Sequence, residues 1–293
     1  MQRQRHLSCV PKLSVTGGTA LESTKSMPHP RTAIILAAGS GSRLLPHTAD
    51  VPKCLTPVAG QPILRYQIAA LRHCGITDIV IVVGYKGDRI RDCVDSSVTL
   101  VDNREFATTN SSYSLWLARE HVRDGFIHLN SDLLFEPAML RALLSAPAEN
   151  GIVVERQVRA GSDMMKSRMQ GPRILAMSKE LTEDAAAEVI GPAKFGPAGA
   201  ALILSRLTEL VAASDKNRWA YSVFGELAPQ MRFAGVDNPG CFWAEIDTLA
   251  DLEAADRRIP ASLIALARQE SDATTLPATD RSGAADVLPT HVS

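Results

Sequence analysis

The chain reads as an α/β protein built in three layers, a mostly parallel sheet with helices on both faces. Three observations predict this. Runs such as Ala33-Ile-Ile-Leu-Ala-Ala38 and Ile79-Val-Ile-Val-Val83 lack the polar alternation of a strand with one wet face. They alternate along the chain with segments of helical periodicity. The first run also opens into Gly39-Ser-Gly-Ser-Arg43, a glycine-rich loop of the kind that lets bare backbone N–H groups reach phosphates.

The elements follow in order. Thr32–Ala38 is a buried strand, and Ile63, Tyr66, Gln67, Ala70, Leu71 and Cys74 mark one face of a helix over Ile63–Cys74. Asp78–Val83 is the second strand, ended by Gly84. A polar helix is expected over Asp88–Val94, a strand over Val98–Val101 and a helix over Ser114–His121. The strand Gly125–Leu129 runs into Asn130-Ser-Asp132, and helix Pro137–Leu144 and strand Gly151–Glu155 close this half. The second half is less regular, with strands at Arg173–Ser178 and Ala187–Ala193 and helices over Ala200–Leu210 and Ala220–Met231. A last helix, Thr248–Ala267, is expected to break at Pro260.

The totals narrow the function. A net charge of −1 over 293 residues leaves no basic footprint for nucleic acid. Cys9, Cys54, Cys74, Cys93 and Cys241 are odd in number and form no C-x-x-C, so they read as free thiols of a reducing cytoplasm. No apolar run is long enough to span a bilayer. Residues 1–31 are polar, without the apolar core of a secretory signal, and are expected to be a disordered extension, with Met27 as an alternative start. The domain is expected over 32–269, and 270–293 as a loose polar tail.

Three kinds of phosphate loop compete for Gly39–Arg43. A Walker A loop needs Gly-Lys-Ser/Thr, which is missing. A dinucleotide fingerprint needs a third glycine where this chain has Leu44, and an acid after the second strand where it has Gly84-Tyr85. What remains is a nucleotidyltransferase loop. Leu36-Ala-Ala-Gly-x-Gly-Ser-Arg-Leu44, followed by Pro52-Lys-x-Leu-x-Pro-Val-x-Gly-x-Pro-Ile-Leu64, resembles the signature of the sugar-phosphate nucleotidyltransferase superfamily. The resemblance implies a Rossmann-like fold of the nucleotide-diphospho-sugar transferase type. It also implies that Leu36, Ala38, Gly39, Gly41 and Ser42 line the nucleotide.

The residue types suit that chemistry. Attack on the α-phosphorus of a triphosphate loads charge onto phosphoryl oxygens and the departing pyrophosphate, so the protein must position and neutralise. The fork of Arg43 suits pyrophosphate, and Lys53 suits the α-phosphate as a mobile point charge. Such a reaction calls for Mg²⁺ held by carboxylates. The superfamily places one metal-binding Asp after each of two apolar runs, which implies that role for Asp132 and for Asp247 in Trp243-Ala-Glu-Ile-Asp-Thr248. A plain helix N-cap is the competing reading for both.

Within the superfamily, the chain is similar to the bacterial phosphocholine and phosphonate cytidylyltransferases over about Thr32 to Ala255. The residues concerned are Ala107-Thr-Thr-Asn-Ser-Ser-Tyr-Ser-Leu115, Asp163-Met-Met-Lys166, Ser178-Lys179 and Glu188-Val-Ile-Gly-Pro-Ala-Lys-Phe195. The resemblance implies CTP as donor, with Thr109, Asn110, Ser111 and the backbone near Gly84 framing the base, and Lys179 facing the acceptor's phosphate. Arg156, Arg159, Lys166, Arg168, Arg173 and Lys179 stand against only Glu155 and Asp163 in one segment. That excess favours a small phosphonate with a second anionic end, such as phosphonoformate. Phosphocholine or 2-aminoethylphosphonate is the alternative, and phosphocholine would need an aromatic cage drawn from Phe195, Trp219, Tyr221, Phe224, Phe242 and Trp243. A sugar-1-phosphate transferase and a non-catalytic nucleotide-binding regulator are the further rivals. His47, His73, His121 and His128 read as structural or surface residues, and Cys54 beside Lys53 as a thiol whose pKa the lysine could lower.

Overall fold

The computed structural model describes residues 29–158, 164–182 and 184–275. Met27, Arg159, Asp163, residues 1–28 of the expected extension and the chain beyond Thr275 lie outside the described residues.

From its N-terminal end the fold runs β1 (Thr32–Ala37), the short pair β2 (Pro57–Val58) and β3 (Gln61–Pro62), and α1 (Ile63–His73). Then come β4 (Asp78–Val83), α2 (Gly87–Arg91), β5 (Val98–Asp102), α3 (Ser111–Leu117) and β6 (Phe126–Asn130). The short β7 (Leu133–Phe135), α4 (Pro137–Ser145) and β8 (Gly151–Glu155) end the first half. The second contains β9 (Lys166–Gln170), β10 (Arg173–Ser178), β11 (Ala187–Phe195), α5 (Pro197–Ala212) and α6 (Ala220–Met231). Last are β12 (Ala234–Asp237), β13 (Trp243–Glu245), α7 (Leu249–Arg258) and α8 (Ala261–Thr275).

Nine strands form the main sheet in the order β5-β4-β1-β6-β11-β8-β12-β10-β9. The first four are parallel neighbours, joined by crossovers through helices. Only β11 and β10 run against the other strands, so the sheet is mostly parallel in direction. β10 reverses because a tight turn at Gly171-Pro172 joins β9 to it with no helix between them. β9 also pairs with the first residues of β11, which draws the far strands back on themselves.

Both faces are covered, as continuous apolar strands require. Ile34 and Leu36 of β1 join Val80 and Val82 of β4 in one core with Leu115, Ile203 and Phe224 from α3, α5 and α6. The alternate residues, Ala33, Ile35 and Ala37 with Ile79, Ile81 and Val83, face Leu64, Ile68 and Leu71 of α1 and Met139 and Leu140 of α4. A third cluster packs Ile63 and Tyr66 of α1 against Ala255 of α7 and Leu263 and Ala267 of α8, with Leu44 and Ile246 beside them.

Several boundaries moved for local reasons. The helix expected over Ser114–His121 begins at Ser111, because the Asn110 side chain accepts from Ser111 N at 2.8 Å and starts it early. β9 lies in a polar stretch without a strand pattern, because Ser167 alone is fully buried in it. The break at Pro260 stands. α8 nevertheless runs past the boundary expected at residue 269, where Glu270 pairs with Arg72 and Ser271 Oγ donates to Gln61 Oε1 at 3.0 Å.

Candidate active site

The loop after β1 is shaped by one glycine. Gly41 has φ of +63°, and a Cβ there would lie 2.8 Å from the Cβ of Lys53. Its carbonyl accepts from Thr48 Oγ1 at 2.9 Å, and buried Leu44 anchors the turn that carries Arg43 outward. Lys53, in the tight turn after Pro52, is thereby brought under the loop.

A second stretch of chain brings the acids together. β13 pairs antiparallel with β7, Glu245 opposite Leu133, and Ile246 N donates to Asp132 O at 3.0 Å. Asp132 and Asp247, far apart in sequence, thus meet, and one oxygen each from Asp132, Glu245 and Asp247 lie within 4.8 Å of one another. Lys53 Nζ donates to Asp132 Oδ2 at 2.8 Å and to Asp247 Oδ1. Arg43 Nη2 lies 2.8 Å from the same Asp247 oxygen.

The electrostatics follow from this crowding. Burial opposes the charged Lys53 ammonium, but Asp132 and Asp247 outweigh it and raise its pKa above the usual value. Burial first, then the Asp132 and Asp247 charges, push the Glu245 carboxyl up to about 8. Asp132 Oδ1 is buried with no hydrogen-bond partner. Three hard oxygen donors around an unsatisfied carboxylate oxygen suit a divalent cation of the Mg²⁺ type. The capping alternatives fail: β7 follows Asp132, and the N-cap of α7 is Thr248, in a capping box with Asp251.

These groups line one cavity of about 590 Å³. Leu36, Ala38, Gly39, Gly41, Ser42, Arg43 and Lys53 line it, as do Thr109, Asn110 and Ser111, and Asp132, Asp247 and Lys179. Gly84 does not line it. It stands behind Ala38, where a Cβ would come 2.7 Å from Ala38 O, while Tyr85 N donates to that same oxygen at 3.0 Å. Its smallness sets the position of the wall rather than a contact.

Lys179 Nζ stands 4.2 Å from the centre of the Trp219 ring, and Met164, Met165 and Tyr221 complete that end of the cavity. Phe195 and Phe224 are core residues with ring centres 4.7 Å apart, and Phe242 and Trp243 pack in other clusters, so they build no cage. The arginine excess also points elsewhere. Arg156 pairs with Asp237 at 2.5 Å, Arg168 with Asp184 at 2.9 Å, and Arg173 donates to Pro229 O at 3.1 Å. Cys54 is no activated thiol, since burial pushes it up to about 12.

Sequence reasoning passed over Glu245 and Asn103. Glu245 had a signal, because residues two apart on a strand share a face and Asp247 lies two further on. Asn103 had none: it is buried at the cavity wall, donating to Thr109 Oγ1 and Ser114 Oγ, both at 3.1 Å.

A family model described as a MobA-like NTP transferase domain matches residues 33–224. The chain belongs to the MobA-like NTP transferases. This transferase is 37% identical over 135 residues to a CMP-5'-(3-aminopropyl)phosphonate synthase of Streptomyces rubellomurinus, covering 44% of this chain and 22% of that one. It is 40% identical over 105 residues to a choline-phosphate cytidylyltransferase of Streptococcus pneumoniae, covering 36% and 46%. The chain therefore spans less than half the length of either relative in these matches. The structure of the inositol-1-phosphate CTP transferase from T. maritima shares the fold of this transferase, with a TM-score of 0.66, 22% identity, and coverage of 85% of this chain and 99% of that one.

Proposed function

We propose that this transferase joins CMP from CTP to a small phosphonate and releases pyrophosphate. One observation carries the reading: Arg43, Lys53, Asp132, Glu245 and Asp247 converge where the glycine loop meets the Lys179 end of one cavity. An oxygen of the acceptor's phosphonate attacks the α-phosphorus, the bond to the β-phosphate's bridging oxygen breaks, and that oxygen leaves with the pyrophosphate.

The chain's own groups divide the work. The backbone at Gly39 and Gly41 lies open to the triphosphate, Arg43 holds the leaving pyrophosphate, and Lys53 neutralises the α-phosphoryl oxygens. Thr109, Asn110 and Ser111 would read a cytosine, on a wall that the Asn103 side chain braces through Thr109 and Ser114. Mg²⁺, bound by Asp132 and Asp247 with Glu245 beside them, would supply charge neutralisation at the phosphoryl oxygens.

Lys179 receives the acceptor's phosphonate. With Arg156, Arg168 and Arg173 engaged elsewhere, Met164, Met165, Trp219 and Tyr221 are among the described residues that line the cavity with Lys179. This supports an acceptor with a single anionic end, and favours an aminoalkylphosphonate over phosphonoformate. The similarity to a relative named as a phosphonate synthase supports the same class. A choline cage is less favoured, because the Trp219 ring already carries the Lys179 ammonium.

Pyrophosphate release tests the reading, measured with CTP, UTP, dTTP and ATP against 2-aminoethylphosphonate, phosphonoformate, phosphocholine and glucose-1-phosphate. Turnover with CTP and a phosphonate is expected. Turnover confined to phosphocholine or to the sugar phosphate would overturn the acceptor, and none with any pair would leave the regulator reading.

A further inference from the structure

The geometry points to Gln67 as the residue that positions Asp132 for the divalent cation. The inference rests on reading Asp132, Glu245 and Asp247 as a metal site. Gln67 lies on the buried face of α1, 1% exposed. Its Nε2 donates to Asn130 O at 2.7 Å and to Leu133 O at 2.9 Å. Those carbonyls bracket Ser131 and Asp132, so one amide nitrogen clamps both sides of the turn that presents the Asp132 carboxylate.

Besides the bond from Lys53 to the carboxylate itself, backbone bonds hold the rest of the turn. Ser131 N donates to Leu36 O at 3.3 Å on one side, and Ile246 N to Asp132 O at 3.0 Å on the other. Neither bond fixes how far the turn stands from α1. Gln67 does so, and it ties the turn to the helix that follows the Lys53 segment. Lys53 and Asp132 are thereby referred to one rigid element.

The unused half of the amide sharpens the assignment. Gln67 Oε1 is buried without a partner. An apolar side chain would avoid burying that acceptor, so what the glutamine contributes here is its pair of N–H donors. A residue outside the metal's own ligands that orients one of them governs affinity as the ligands do.

The test is Mn²⁺ binding to the full chain without nucleotide or acceptor, followed by electron paramagnetic resonance, beside thermal unfolding. Gln67→Met keeps the length and removes the donors. It is expected to weaken Mn²⁺ binding roughly tenfold or more, together with a lower Tm, because Asn130 O and Leu133 O lose their donor. A merely structural glutamine would lower the Tm and leave the affinity of the folded protein unchanged. Affinity within about twofold of the wild type would therefore overturn the proposal. Should Gln67→Met fail to fold, Gln67→Glu keeps the shape but sets an acid against two carbonyl oxygens. The same loss is expected there, and wild-type affinity would overturn the proposal equally. A wild type that binds no Mn²⁺ would overturn both this inference and the metal reading, whereas failure of every phosphonate as acceptor would leave both standing.

Discussion

His128 offers a quantitative test of the core beneath the site. It lies in β6 with both ring nitrogens buried and unpartnered. Tyr221 and Phe224 stand edge-on to it, with ring centres at 5.2 and 5.1 Å. Burial lowers its pKa from 6.5 to about 3, so the folded protein keeps it neutral. Below pH 6.5 the unfolded chain takes up a proton that the folded one refuses. The stability tied to this residue is therefore complete above pH 6.5 and falls as the pH drops towards the folded value. At pH 5 the loss, at about 1.36 kcal/mol per pH unit, is about 2 kcal/mol. Urea unfolding of the wild type and of His128→Phe at pH 7.5 and pH 5 reads it directly. The larger ring shifts the variant's stability at both pH values by a constant amount, so the difference between pH values is the quantity compared. The wild type should lose about 2 kcal/mol more than the variant on acidification. Equal losses, within about 0.5 kcal/mol, would show that His128 is hydrated or paired in solution and would refute the argument.

Three substitutions probe the site itself. Gly41→Ala forces a side chain into left-handed backbone and against Lys53 Cβ, a strain of roughly 1–2 kcal/mol that should lower the Tm by roughly 2–8 °C. Its displacement of Lys53 should cost tenfold or more in turnover (order of magnitude), and unchanged turnover would remove Lys53 from the reaction. Asp132→Ala should cut pyrophosphate release by roughly a hundredfold or more while CTP binding stays measurable by calorimetry; full turnover would remove the metal assignment. Lys179→Met should raise the acceptor's KM by roughly 10–100-fold and leave the KM for CTP unchanged. A change in the CTP constant alone would move Lys179 to the donor side.

The proposed donor half of the site was legible in the sequence because it is local. Leu36 to Leu64 hold the strand, the loop, Arg43 and Lys53 in one continuous stretch, and short-range chemistry sufficed to exclude two rival loops. The acceptor half was not. The charge count from Glu155 to Lys179 summed arginines that lie near one another in sequence, yet Arg156 and Arg168 reach Asp237 and Asp184 instead of the cavity. A strand sends alternate side chains to opposite faces, so a local charge total does not say which face receives it. Glu245 shows the converse, since its spacing from Asp247 was a signal but its meeting with Asp132 comes only when β13 lies against β7.

By itself, then, the sequence determined the layering of the fold and the glycine-rich loop proposed to hold phosphates, because both depend on residue type at short spacing. Apolar strands without alternation demand two covered faces, and a glycine-rich turn with Arg43 and Lys53 beside it fits few other purposes. Tertiary structure alone decided which carboxylates share the site, how Gln67 braces one of them, and that Gly84 supports the cavity wall from behind. Those facts rest on pairings such as Ile246 N to Asp132 O, made between segments distant in sequence. Such contacts form through packing of the whole sheet, and no local pattern of residues encodes their distances.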